Sequence, residues 1–169
     1  MGWLARLFGA APKEEMEGVH LDTRQPCWEV DSPTTFSAVL RALRGWLPED
    51  AILYIEGGSP GAQIGDFLTA HSVPERAHLA MGTIWPRPKV FHVPASPTTL
   101  TELAEVMEHH AAPAIHFHVY RDRTILLQWY DAFCDPILLI GSIPEDQVRV
   151  FADRVGETFR RRDGATRRS

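Results

Sequence analysis

Cysteine is scarce in this sequence: Cys27 and Cys134 are its two thiols among 169 residues, and they lack the close spacing of zinc-binding pairs. Two distant thiols also cannot form the disulfide framework of a small secreted domain. No apolar run approaches the roughly 18 residues of a membrane span, and residues 1–11 lack the long apolar core of a signal peptide. We therefore expect a cytoplasmic protein without a membrane span.

Familiar catalytic motifs are missing too. The stretch from Glu56 to Gly61 is rich in glycine but is neither a Walker loop nor a dinucleotide fingerprint, and Pro60 removes one of the amides that such loops use. We interpret it as a tight turn from a strand into a helix. Cys134 lies near Asp131 and Asp135, but nothing in the sequence indicates a lowered thiol pKa or a histidine partner. The sequence therefore assigns no catalytic residue.

Charge is unevenly distributed along the chain. Five arginines and one aspartate give residues 160–169 a net charge of +4, which leaves −9 for residues 1–159 of a chain with a total of −5. An acidic body repels phosphate backbones, so we expect no specific nucleic-acid binding. Residues 160–169 are predicted to be a disordered basic tail. Residues 1–23 are predicted to be an amphipathic or disordered leader, and residues 24–159 a single domain.

A five-residue sequence that occurs twice, residues 32–36 and 96–100, predicts much of the architecture. Both copies begin Ser-Pro-Thr-Thr, a strong helix start in which serine caps and proline occupies the first helical position. Each copy follows a short apolar run and precedes a helical pattern and a second apolar run. The sequence therefore predicts helices over 32–46 and 97–109, between strands at 27–30 and 51–56 and at 89–93 and 114–120.

The C-terminal part reads as a β-meander followed by a helix that begins near Pro144. Arg121-Asp122-Arg123 is expected to be a three-residue hairpin loop, with Val119 beside Ile125 and Phe117 beside Leu127. One face of this hairpin is apolar and the other is polar, unlike a parallel sheet covered on both sides. The fold class predicted is α+β: a mixed sheet of about six strands, built from two β-α-β units and the meander, with helices mainly on one face.

The polar face of the meander is the first candidate site. His116 and His118 alternate on one strand, so both imidazoles are expected on the same side. The residues predicted to form this open binding face are His116, His118, Tyr120, Gln128 and Tyr130. In an alternative interpretation, a divalent transition metal is held by His92, His116, His118 and either Asp131 or Asp135, and the protein is a metal-dependent hydrolase.

The second candidate site is the segment Trp85-Pro86-Arg87-Pro88, in which a large aromatic ring and a cation are held on a stiff backbone. Trp and Arg are enriched among residues that dominate binding energy, so Trp85 and Arg87 are predicted to contact a partner. The sequence favours a non-enzymatic protein-binding module that needs no cofactor. Its acidic body would suit a basic protein partner through electrostatic attraction.

Overall fold

The computed structural model describes residues 18–57, 61–80, 88–108 and 116–164. Its seven strands are β1 (Cys27–Val30), β2 (Ile52–Gly57), β3 (Lys89–Pro94), β4 (His116–Arg121), β5 (Thr124–Trp129), β6 (Ile137–Ile140) and β7 (Phe159–Arg162). Its four helices are α1 (Phe36–Leu43), α2 (Ala62–His71), α3 (Pro97–Met107) and α4 (Glu145–Val155). No helix among the described residues is long and apolar enough to cross a membrane.

The strands form one open sheet in the order β3-β2-β4-β5-β6-β1-β7, and each of its six pairings is antiparallel. The predicted α+β class is confirmed, with seven strands in place of about six. The two β-α-β units are present as β1-α1-β2 and β3-α3-β4. Neither unit pairs its own two strands, because β3 and β4 both flank β2 while β1 lies between β6 and β7.

All four helices cover one face of the sheet, and the main hydrophobic core lies between them. The alternation of β2 and β4 directs Leu53, Ile55 and Phe117 into this core. Phe36 of α1 stacks on Trp129 of β5 with ring centroids 5.4 Å apart. This helical side is densely apolar, so polar function is left to the opposite face of the sheet.

The two Ser-Pro-Thr-Thr copies cap their helices differently. Ser96 caps α3 as predicted, because its hydroxyl accepts a hydrogen bond from the Thr99 amide at 3.1 Å. In the first copy the cap is Thr35, which accepts from the Ala38 amide at 3.3 Å, so α1 begins at Phe36 and not near Ser32. The chain is still held extended at Asp31, whose amide donates to the Thr158 carbonyl. The helix therefore starts one turn later than the sequence predicts.

The helix-free face is covered by two irregular segments, residues 18–24 and 72–80, which we call the cover segments. Val19 and Leu79 form a parallel β-bridge between them, and the Leu21 amide donates to the Gln128 side chain at 2.9 Å. The prediction that residues 1–23 form a separate leader is therefore wrong for residues 18–23. Residues 1–17 lie outside the described part of the chain.

The predicted tail boundary at residue 160 is also wrong. Residues 159–162 form β7, which pairs with β1 in the register Val30↔Phe159 to Cys27↔Arg162. The Arg161 guanidinium lies 4.7 Å from the centre of the Trp28 ring, and Arg160 pairs with Glu29. A partner strand and two side-chain contacts order these arginines, although their composition alone suggests a solvated tail. Residues 165–169 lie outside the described part.

The hairpin of β4 and β5 is tighter than predicted. Arg121 pairs with Thr124, so the turn has two residues, and Asp122 adopts φ 52°. A bulge then shifts the register: Tyr120 pairs with Ile125, and Val119 pairs with Leu127. Phe117, Val119, Leu127 and Trp129 still face the helices, as expected. Ile125, however, is turned to the opposite face, where it packs with Tyr120.

Candidate functional site

A row of polar and aromatic side chains crosses the helix-free face of the sheet. Its four members occupy directly paired positions on neighbouring strands, in the order His92, Tyr54, His118 and Gln128. Paired residues in a sheet project to the same side, so the antiparallel register collects these side chains from four segments of the chain. We call them the polar row.

The binding face predicted from the sequence, which shares His118 and Gln128 with the polar row, is not an open surface. His118 is 2% exposed, Gln128 is 6% exposed and Tyr120 is fully buried. His116 is buried as well, and Tyr130 is half-buried. The expectation of an open binding face built from these five residues is therefore wrong. The cause is the pair of cover segments, which place Leu21, Ala77 and Leu79 over this side of the sheet.

His118 is a buried, neutral imidazole. Its Nδ1 accepts a hydrogen bond from the Trp129 amide at 3.3 Å, so the ring proton is carried by Nε2. Nε2 is buried and has no hydrogen-bond partner. Burial, and next the proximity of His116, lower the pKa of His118 to about 3. The imidazole is therefore uncharged at neutral pH, and stacking on Tyr54 holds its plane.

Glu56, two residues after Tyr54 on β2, places a carboxylate on the same helix-free face of the sheet. It is fully buried, and its Oε1 accepts a hydrogen bond of 2.7 Å from the Tyr54 hydroxyl. Its Oε2 lies 4.0 Å from Nε2 of His116. Burial first, and then the carboxylate, raise the pKa of Tyr54 above its usual range. Glu56 thus anchors a buried Tyr-Glu-His cluster next to the polar row.

His116 is fixed from its other side by the turn after β5. Its Nδ1 accepts from the Asp131 amide at 3.0 Å and lies 3.9 Å from Asp131 Oδ1. Asp131 adopts φ 39° and Phe133 adopts φ 75°, left-handed conformations that cost energy for residues other than glycine. This strained turn brings the Asp131 amide to the histidine.

The five residues of the alternative metal site do not come together. His92 is engaged by the Tyr120 hydroxyl at 2.9 Å, and His118 is separated from it by the whole width of β2. Asp131 approaches His116 alone, while Asp135 is exposed and uses its backbone carbonyl to accept from Trp129 Nε1. Among the described residues, no group of three His, Cys, Asp or Glu side chains could hold a metal ion. The predicted His/Asp ligand set is therefore wrong.

A cavity of about 360 Å³ opens at the β3 end of the polar row. This volume lies within the range of roughly 300–1,000 Å³ that is usual for ligand sites. The cavity is lined by Tyr54, Glu75, His78, Leu79, Pro88, Val90 and His92. Glu75 and His78 are exposed at its rim, where His78 Nδ1 lies 3.1 Å from Glu75 Oε1. Leu79 and Val90 form apolar parts of its wall. The cavity is where the covered face meets solvent.

Trp85 and Arg87, predicted to contact a partner, lie outside the described residues. In the sequence they fall between Leu79 and Pro88, which both line the cavity.

The sequence interpretation missed Glu56, Glu75 and His78. Continuing the alternation of β2 by two residues beyond Tyr54 places Glu56 on the same face, so a signal for Glu56 was present. Glu75 and His78 lie in an irregular cover segment without periodicity, and only the tertiary structure brings them to Tyr54.

Comparisons with known proteins identify no relative. No protein-family model matches the chain, and neither the curated proteins nor the solved structures contain a match. The function must therefore be argued from the geometry.

Proposed function

We propose that this chain is a protein-binding module that accepts a basic side chain of its partner in the cavity beside Tyr54. The observation that carries the proposal is the composition of this cavity. The Glu75 carboxylate and the His78 imidazole stand at its rim, and the rings of Tyr54 and His92 lie in its wall. The remaining lining residues, Leu79, Pro88 and Val90, are apolar. These are the groups that receive a lysine or arginine side chain, whose apolar stem and charged end need different surroundings.

The charge of the chain supports a basic partner. The total is −5, so association with a positively charged segment is favoured at long range. His92 faces the cavity as a neutral ring, because burial lowers its pKa while Glu75 raises it less. A cationic side chain therefore meets the Glu75 carboxylate without a competing positive charge from His92.

Glu56 and His116 support the Tyr54 ring from beneath the cavity without lining it themselves. Tyr54 is held by its bond to Glu56 and by stacking against His118, so the ring in the cavity wall is fixed before binding. Such preorganisation reduces the ordering cost of association. In this proposal the protein is not an enzyme, and its setting is the reducing cytoplasm, which suits the two free thiols.

A peptide array tests this function. Purified protein is applied to random ten-residue peptides with lysine, arginine, glutamine or glutamate fixed at the centre. We expect the lysine and arginine sets to retain the protein and Glu75→Gln to reduce this binding at least tenfold. Glu105→Gln is the matched control, since Glu105 is exposed on α3 at the opposite side of the sheet. Equal binding of all four sets, or full binding by Glu75→Gln, would contradict the proposal.

A further inference from the structure

The two edge strands of the sheet, β3 and β7, differ in how far their outer backbone groups are hydrogen-bonded. Along β3, the backbone is partly covered because the Val73 amide donates to the His92 carbonyl at 2.8 Å. β7 is the strand at the other end of the sheet, and no described segment pairs with its outer side. Exposed edges of this kind are templates for pairing with another chain, and proteins usually block them.

The backbone groups that β7 presents outward can be assigned from its register. The Asp31 amide donates to the Thr158 carbonyl at 3.0 Å, which makes these two residues a hydrogen-bonded pair. Such pairs recur at every second position of an antiparallel ladder, so Arg160 bonds with Glu29 and Arg162 bonds with Cys27. The amide and carbonyl groups of Phe159 and Arg161 therefore point away from the sheet.

The arginine side chains of β7 place positive charge on both sides of this edge. Arg160 and Arg162 lie on the helix-free side with Glu29, and their side chains remain 67% and 48% exposed. Arg161 lies on the helical side across the Trp28 ring, also exposed. Two of these three arginines share a single glutamate, Glu29, so the edge is basic although the chain as a whole is acidic.

We propose that β7 binds an acidic, extended segment of another protein, which adds an eighth strand to the sheet. The outward groups of Phe159 and Arg161 supply the backbone pairing, and the arginines select carboxylate side chains on the added strand. A second copy of the chain is a poor occupant, because pairing two β7 strands would oppose arginine to arginine. This site is independent of the cavity beside Tyr54.

The test uses a fluorescein-labelled peptide of alternating glutamate and valine, and anisotropy as the readout. Arg161→Pro removes an outward amide without removing a bond to β1, and Arg161→Gln removes the charge but keeps the amide. Arg123→Gln, in the exposed β4–β5 turn, is the charge-matched control. We expect binding by the wild-type chain and by Arg123→Gln, a loss of at least tenfold for Arg161→Pro, and a loss of several-fold for Arg161→Gln.

Amide hydrogen exchange locates the contact. Added peptide should slow exchange at Phe159 and Arg161, which lack a β1 partner, and leave β3 unchanged. Two results would overturn the proposal. One is the absence of binding by the wild-type chain at low salt. The other is equal binding of disordered polyglutamate together with an unaffected Arg161→Pro variant, which would show attraction by charge alone.

Discussion

The imidazole of His118 lies parallel to the ring of Tyr54, with centroids 5.2 Å apart and planes inclined by 13°. The two residues face each other across the β2–β4 ladder, and the ring of Tyr130 also packs on the imidazole, with centroids 4.8 Å apart and planes inclined by 75°. This enclosure removes water from His118 and disfavours its charged form. The pKa of His118 therefore differs between the folded and the unfolded protein, so the stability of the fold depends on pH.

We predict that stability falls on acidification because of His118. Its pKa is about 3 in the folded protein, against an ordinary value near 6.5 when unfolded, so the unfolded chain binds the proton first. The free energy of unfolding is therefore unaffected by the titration of His118 above pH 6.5. Between pH 6.5 and 3 it falls by up to about 1.4 kcal/mol for each unit of pH. Urea unfolding at pH 7.5, 6.0 and 5.0 measures this slope.

His118→Asn tests the assignment to this residue. The asparagine oxygen can replace Nδ1 as the acceptor for the Trp129 amide, but it does not titrate. We expect a flatter dependence of the unfolding free energy on pH between 6.5 and 5. The same change at His20, which is exposed in a cover segment, should keep the wild-type slope. A slope unchanged in His118→Asn would show that other groups cause the acid sensitivity.

A second prediction concerns the hydrogen bond from Tyr54 to Glu56. Because Glu56 is fully buried, Tyr54→Phe should destabilise the fold by about 1.5–3 kcal/mol, the usual range for a bond to a charged group. In a double-mutant cycle with Glu56→Gln, the two changes should be less than additive by about 1 kcal/mol or more. Urea unfolding of the four proteins gives this coupling.

Tyr120→Phe provides the control cycle. Tyr120 is buried on the same face, but it pairs with Ile52 at the far end of β2 and bonds to His92. Its combination with Glu56→Gln should therefore be additive within about 0.5 kcal/mol. Equal coupling in both cycles would mean that Glu56 acts through the whole face and not through Tyr54.

Local signals predicted the elements of this fold well. Helical spacing and caps located the helices to within a few residues, and alternation placed Phe117, Val119, Leu127 and Trp129 on the core side. The bulge at Leu126 was not predictable in the same way, because an extra residue in one strand leaves no mark in the alternation until the pairing is known.

The burial of the candidate site could not be predicted from local sequence patterns. His116, His118 and Gln128 look like a solvated face when β4 and β5 are considered alone. They are covered by residues 18–24 and 72–80, which are distant in sequence and have neither helical nor strand periodicity. The same holds for β7, since the ordering of three arginines depends on Trp28 and Glu29, about 130 residues earlier.

The two thiols should differ strongly in reactivity. Cys134 is exposed in the turn after β5, whereas Cys27 is buried in β1, where burial raises the pKa of its thiol. A disulfide reagent such as Ellman's reagent should modify Cys134 rapidly and Cys27 only as the protein unfolds. Cys134→Ser should remove the fast phase, and Cys27→Ser should preserve it. Two fast phases in the native protein would place Cys27 within reach of solvent.

The last prediction separates β7 from the residues that follow it. Ending the chain after Thr158 removes the ladder on β1 and uncovers Trp28 and Glu29, so it should lower the free energy of unfolding by about 2 kcal/mol or more. Ending the chain after Gly164 keeps every contact of β7 with the described residues and should leave the urea midpoint within error. Arg161→Gln isolates the contact with Trp28 and should cost about 0.5–1 kcal/mol. If the two shortened chains unfold at the same urea concentration, β7 does not contribute to the stability of the domain, and the basic edge proposed for partner binding loses its structural basis.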